Sequence, residues 1–167
     1  MKTVWAGQYI AVVVDGRWEY VKRTRNISAA VILALTDAHE IVLVEQYRVP
    51  LGRACIELPA GLVGDDVPGE EPSQSAAREL EEETGYSADH WCDLGEYASS
   101  PGMVGETFRL YRATGLRKTG AGGGVAGEAI VVHVVKLSDV PDFLEARRAA
   151  GCAVDVKLLA ALPVAGS

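Results

Sequence analysis

No apolar run in the 167 residues approaches the ~20 that a membrane-spanning helix requires, and the opening MKTVWAGQY lacks the long apolar stretch of a signal peptide. These absences lead to the expectation of a cytoplasmic protein without membrane partners. Positive charge is also scarce. With 16 Lys and Arg against 23 Asp and Glu the net charge is -7, which argues against a nucleic-acid surface, normally a basic patch. Cysteine is limited to Cys55, Cys92 and Cys152, odd in number and set in largely apolar surroundings; buried free thiols are expected rather than disulfides or a zinc site. His39, His90 and His133 are equally scattered and read as surface or strand residues rather than ligands. Neither a repeat nor a linker interrupts the chain, so it is read as one domain, 1–167, large enough for a core.

What is present is concentrated acid. The octapeptide RELEEETG at 78–85 packs Arg78, Glu79, Glu81, Glu82 and Glu83 into six residues just before a glycine that suits a helix stop. On a helix, Glu79, Glu82 and Glu83 share one face and Glu81 points away. Like charges at i,i+4 oppose the helix by roughly 0.2–0.5 kcal/mol per pair, and acids in a last turn oppose its dipole by about 0.3–1 kcal/mol each. Something outside the helix must offset this. A divalent cation with oxygen ligands, such as Mg²⁺, would do so; a solvated acidic face is the plainer alternative. The cations Arg17, Lys22, Arg23, Arg25, Arg48 and Arg53 gather in the first third, so one wall of a site can be basic and another can hold a metal.

Residues 9–14 and 17–23 flank Asp15-Gly16 and read as a two-stranded antiparallel ribbon, marginal alone and expected to pack on another sheet or another subunit. Residues 29–35 and 41–47 are apolar on both faces, as in strands buried between layers. The second ends at Arg48, whose guanidinium fork suits phosphate. A short strand at 55–58, in which Glu57 could face the same pocket, leads through a loop into the acidic helix, started at Pro72 and stopped at Gly85. Strands at 91–97, 107–113 and 130–137 follow. Residues 118–127 are glycine-rich and read as flexible, either a spacer or a loop that orders over a ligand. A helix capped by Ser138 and a last one over 156–162, stopped by Pro163, complete the chain.

Gly61 and Glu70, then seven residues to Arg78-Glu79-Leu80-Glu81-Glu82-Glu83-Thr84-Gly85-Tyr86, resemble the Nudix box G-x5-E-x7-R-E-U-x-E-E-x-G-U, where U is aliphatic or aromatic. Eight residues rather than five separate Gly61 from Glu70, a three-residue insertion, although Gly64 also satisfies the written spacing. The resemblance implies a Nudix-type α/β/α sandwich, an α+β arrangement with a mixed sheet behind the N-terminal ribbon. The ribbon would occupy 1–25 and the catalytic core 26–167. It also implies hydrolysis of a nucleoside diphosphate linked to another group, with Mg²⁺ (or Mn²⁺) held by Glu79, Glu82, Glu83 and the backbone carbonyl of Ala60, and with Arg78 and Glu70 bracing loop and helix.

WEYVKR at 18–23, VEQYR at 44–48, ELPAG at 57–61 and Pro101 in its S-P-G turn, with Glu106 beyond, resemble the ADP-ribose pyrophosphatase branch in its homodimeric members. That branch implies stacking of adenine on Trp18, phosphate contacts from Arg23 and Arg48, and a homodimer joined through the ribbon. Trp5 is a second stacking candidate and Glu19 an adenine contact. Glu128, after the glycine-rich loop, is a candidate base in competition with Glu82. The products would be AMP and ribose 5-phosphate. The alternatives are another nucleotide sugar such as GDP-mannose, or a module that senses a nucleotide without turnover.

Overall fold

The computed structural model describes residues 1–25, 27–64, 69–125 and 127–165. In chain order the strands are β1 (Lys2–Ala6), β2 (Ile10–Asp15), β3 (Trp18–Arg23), β4 (Ala29–Ala34), β5 (Glu40–Arg48), β6 (Arg53–Glu57), β7 (Ala60–Leu62), β8 (Tyr86–Ala98), β9 (Thr107–Lys118), β10 (Val131–Lys136) and β11 (Ala153–Val154). The helices are α1 (Pro72–Thr84), between β7 and β8, then α2 (Val140–Ala149) and α3 (Val156–Ala165).

Gly16, at φ 60, makes the turn that sets Asp15 opposite Trp18 and Ile10 opposite Arg23. The ribbon has a third strand the composition did not signal: β1 pairs antiparallel with β2, all five of its residues exposed. The apolar segments β4 and β5 do not pair along their length, because they enter different sheets. One sheet runs β7-β4-β9-β8, mixed because β4 and β9 are parallel; the other runs β10-β5-β6-β11. An isolated bridge from Leu35 to Ile41 joins the two strands beside the turn, where Thr36 N–H also donates to Glu40 O at 2.9 Å.

The two-faced apolarity of β4 follows from this placement. Val31, Leu33 and Leu35 join Ile41, Leu43 and Ile56 under Val140 and Leu144 of α2 and Leu158 and Ala161 of α3. Ala30, Ile32 and Ala34 face Ala76 and Leu80 of α1. Helices therefore cover the core from both sides in a mixed α+β sandwich, and α1 lies where β7 and β4 can reach its acids.

Four local expectations need correction. Ser138 does not cap α2: it sits in a 3-10 turn and donates to Asp139 Oδ1 at 2.6 Å. α3 runs through Pro163, whose missing N–H falls opposite exposed Leu159, on the solvent side. β8 begins directly at Tyr86 rather than at 91, because the paired register with β9 extends to Lys118. Cys55 and Cys152 are buried free thiols, but Cys92 lies exposed on β8. No helix of the described residues is long and apolar enough to cross a membrane.

Candidate active site

α1 starts on a reciprocal cap. The Glu71 side chain accepts from the backbone of Gln74, and the Glu71 N–H donates to Gln74 Oε1 at 3.3 Å, with Pro72 in the first turn. It ends at Gly85, at φ 68, whose N–H donates to Glu81 O at 2.8 Å. Between these ends Leu80 is buried and Glu81 exposed, so the register turns Glu79, Glu82 and Glu83 toward β7 as the helical spacing predicts.

β7 comes very close. A Cβ on Gly61 would fall 2.0 Å from the Glu79 carboxyl carbon, so a side chain there would push the Glu79 carboxylate from its present position. Next to it the Ala60 N–H donates to Glu83 Oε2 at 3.1 Å. Arg78 ties the acids together. Its Nε donates to Glu70 Oε1 at 3.2 Å, its Nη1 to Glu82 Oε2 at 2.9 Å, and its Nη2 lies 2.9 Å from Glu79 Oε1. Burial works against the charge of this guanidinium, but those carboxylates more than offset it and hold its pKa above the ordinary value. Residues 65–68 of the intervening loop lie outside the described residues, so the loop is placed at its two ends, Val63-Gly64 and Gly69-Glu70.

Glu79, Glu82 and Glu83 line a cavity of about 340 Å³ with Gln46, Arg48, Ala60, Gly61, Leu62, Val125 and Glu128. Four carboxylates from one helix and a distant loop thus face one space. Glu83 is only 5% exposed; burial, and then the nearby charges of Glu79 and Glu128, push its pKa up to about 8 against the pull of the Ala60 amide and Arg48. An acid so strained by its neighbours, in an all-oxygen donor set, fits a hard divalent cation. The acids are not yet in ligand geometry. Among the described residues no three His, Cys, Asp or Glu side chains are arranged to hold a metal, because Glu79 and Glu82 are turned onto Arg78 and Glu83 onto Ala60.

An adjoining cavity of about 240 Å³ shares Arg48, Ala60, Gly61 and Leu62 with the first, and adds Arg23, Ser99, Glu57, Glu106, Phe108 and Lys157. Its cations are matched by acids. Arg23 Nε donates to Glu106 Oε1 at 2.6 Å, Arg48 makes two bonds to Glu57, and Lys157 is paired with Asp155. Glu57 was legible from strand alternation. Lys157 was not, since it arrives from α3, a hundred residues beyond the other wall, and no local pattern marks it.

Trp18 and Pro101 meet, with Asp15, Tyr20, Val104 and Gly105, in a third depression of about 260 Å³ that shares no residue with the first two. Alternation along β3 puts Trp18 and Arg23 on opposite faces of the ribbon. Trp5 and Glu19 are exposed on β1 and β3 and line none of these three cavities.

The NUDIX domain family model matches residues 25–151. The chain is 34% identical over 152 residues to a methanol dehydrogenase activator of Bacillus methanolicus, covering 87% of this chain and 80% of that protein. It is 46% identical over 95 residues to an ADP-ribose pyrophosphatase of Mycobacterium tuberculosis, covering 57% of this chain and 45% of the relative, less than half of that protein's length. The crystal structure of an ADP compounds hydrolase superposes with a TM-score of 0.69 at 23% identity, over 86% of this chain and 80% of the other, a likeness of fold.

Proposed function

Because the chain belongs to the NUDIX domain family, we propose that it is a divalent-metal-dependent pyrophosphatase that adds water across the pyrophosphate of ADP-ribose, giving AMP and ribose 5-phosphate. The observation that carries this reading is the convergence of Glu79, Glu82, Glu83 and Glu128 on one cavity with Arg48 on its rim. ADP-ribose pyrophosphatases among the relatives, in Mycobacterium tuberculosis and Bacillus subtilis, support the substrate.

When bound, Mg²⁺, or Mn²⁺ in its place, would supply positive charge against the pyrophosphate and its leaving group and would lower the pKa of the attacking water. The candidate ligands are Glu79, Glu82, Glu83 and the Ala60 carbonyl. Arg78 holds Glu79 and Glu82 in register with Glu70, so their carboxylates start close to one another. Glu82 Oε2 is engaged by Arg78 Nη1 at 2.9 Å. Glu128, which accepts the Val125 N–H at 3.1 Å and lines the same cavity, serves in this reading as the base that removes a proton from water.

The second cavity suits the sugar half of the substrate. Carboxylates accept from hydroxyls, the paired arginines donate, and Phe108 offers an apolar floor, while the matched charges leave no excess for a further anion. Adenine would stack on Trp18 beside Pro101. Trp18 lies five residues from Arg23 on β3, roughly 16 Å at 3.3 Å per residue, and on the opposite face. A base attached to phosphates in one chain's cleft therefore reaches the Trp18 of a second copy more readily than its own, which favours a homodimer joined through the ribbon.

Purified protein assayed with Mg²⁺ against ADP-ribose, GDP-mannose and other nucleotide sugars tests the assignment. The highest kcat/KM is expected for ADP-ribose. Preference for GDP-mannose would overturn the substrate, and tight binding without turnover of any of them would overturn the enzyme.

A further inference from the structure

The carbonyls at the end of a helix lack intrahelical partners, and at the end of α1 they belong to the same turn that carries the acids. Here they are taken up by the glycine-rich segment. Gly124 N–H donates to Glu82 O at 3.0 Å and Gly123 N–H to Glu83 O at 2.8 Å. Lys118 Nζ donates to Thr84 O at 2.8 Å, and Gly85 O accepts Thr119 N–H at 2.8 Å and Gly120 N–H at 3.1 Å. The segment that composition marks as flexible is thus fastened to the acidic helix. Its donors and the Lys118 ammonium also supply part of the positive end that the acids in this last turn require.

The glycines are required by contact as well as by conformation. At Gly122, φ +71, a Cβ would lie 2.4 Å from Thr84 C and 2.8 Å from Glu83 O, both backbone atoms that cannot give way. At Gly124, φ +81, it would lie 2.4 Å from Glu128 Oε2 and 2.9 Å from Glu128 Cβ. One end of this strap grips the backbone of Glu82 and Glu83, and the other closes on the side chain of Glu128, whose N–H also donates to Val125 O at 3.0 Å.

We infer that Gly122 and Gly124 are positioning residues for the reaction: they seat the strap on the C-terminus of α1 and so fix the Glu128 carboxylate against Glu82 and Glu83 before any ligand binds. The inference rests on the pyrophosphatase reading for its catalytic consequence, but the strap itself can be observed without substrate.

Two measurements on the full chain test it. In amide exchange followed by NMR, Gly123 and Gly124 are expected to be protected in the native protein, and Gly122→Ala to abolish that protection. Rapid exchange in the native protein would overturn the strap. In kinetics with whichever nucleotide sugar turns over fastest, Gly122→Ala is expected to lower kcat by about 10–100-fold, as a misplaced catalytic group does, with KM within about twofold. In a Glu128→Gln background the same substitution should lower kcat no further. An equal loss in both backgrounds would overturn action through Glu128, and so would unchanged turnover in Glu128→Gln alone, which contradicts that residue's catalytic role and not the strap seen by exchange. Gly124→Ala, whose nearest contacts are the side chains of Glu128 and Ile130 rather than backbone, covers the case in which Gly122→Ala does not fold. It should lose turnover while Gly123 keeps its protection, and retained turnover would overturn the positioning role.

Discussion

The guanidinium of Arg48 is seated on the carboxylate of Glu57, with Nε donating to Oε1 at 2.6 Å and Nη2 to Oε2 at 2.7 Å. Glu57 is only 4% exposed, whereas the Arg48 side chain is 42% exposed and reaches into both cavities. The pair therefore does two jobs: it neutralises a buried acid and presents a charged rim to substrate. Arg48→Ala should destabilise the fold by about 3 kcal/mol, because it leaves an uncompensated buried charge. Adding Glu57→Gln should restore most of that stability without restoring kcat/KM. Urea unfolding of the two variants checks this, and a double variant as unstable as the single one would contradict it.

The acidic helix was readable because its information is local: five charges in six residues, a glycine stop and the seven-residue spacing back to Glu70. The ribbon hairpin was readable for the same reason at Asp15-Gly16. What could not be read depends on residues distant in sequence. Lys157 reaches the second cavity from α3, Glu106 sits on Arg23 across 83 positions, and β4 and β5 part into different sheets although a short turn joins them. The glycine-rich segment shows the limit of composition most clearly. Glycine content reports conformational freedom, and the carbonyls of α1 that remove that freedom lie more than thirty residues earlier.

Glu83 sets a pH dependence. With its pKa pushed up to about 8 from the usual 4.5, it carries a proton in the metal-free protein at neutral pH, and a cation must displace that proton. Affinity for Mn²⁺ or Mg²⁺ should therefore rise as pH increases toward 8 and level off above it, with proton release visible by calorimetry in buffers of different ionisation enthalpy. The folded state holds this proton more tightly than the unfolded state, so the contribution of Glu83 to metal-free stability is present below pH 4.5 and declines as pH rises through about 8. Glu83→Gln should flatten both profiles. A wild-type metal affinity that is independent of pH between 6.5 and 8.5 would contradict the assignment.

Glu83→Gln should also lower kcat by about 100-fold or more, the scale of losing one electrostatic group from a preorganised site. Its neutral amide can still accept the Ala60 N–H, so the fold should be retained, as a thermal melt would show. Turnover close to wild type would remove Glu83 from the metal site.

Trp18 offers a test of the second copy. Loss of a stacked base contact is worth about 1–3 kcal/mol, so Trp18→Ala should raise KM for ADP-ribose roughly tenfold with little change in kcat. If Trp18 serves the partner's cleft, mixing Trp18→Ala with Glu83→Gln creates heterodimers in which one site has both intact residues. Low-KM activity should then reappear. A mixture showing only the activities of its two components would place Trp18 within its own chain's site.

The most direct measurement of the central claim is a ³¹P NMR time course of ADP-ribose with the purified protein and Mg²⁺, with and without EDTA. The account predicts that the coupled pyrophosphate doublets give way to two phosphomonoester singlets, AMP and ribose 5-phosphate, and that EDTA stops the change. Doublets that persist with Mg²⁺ present would contradict it.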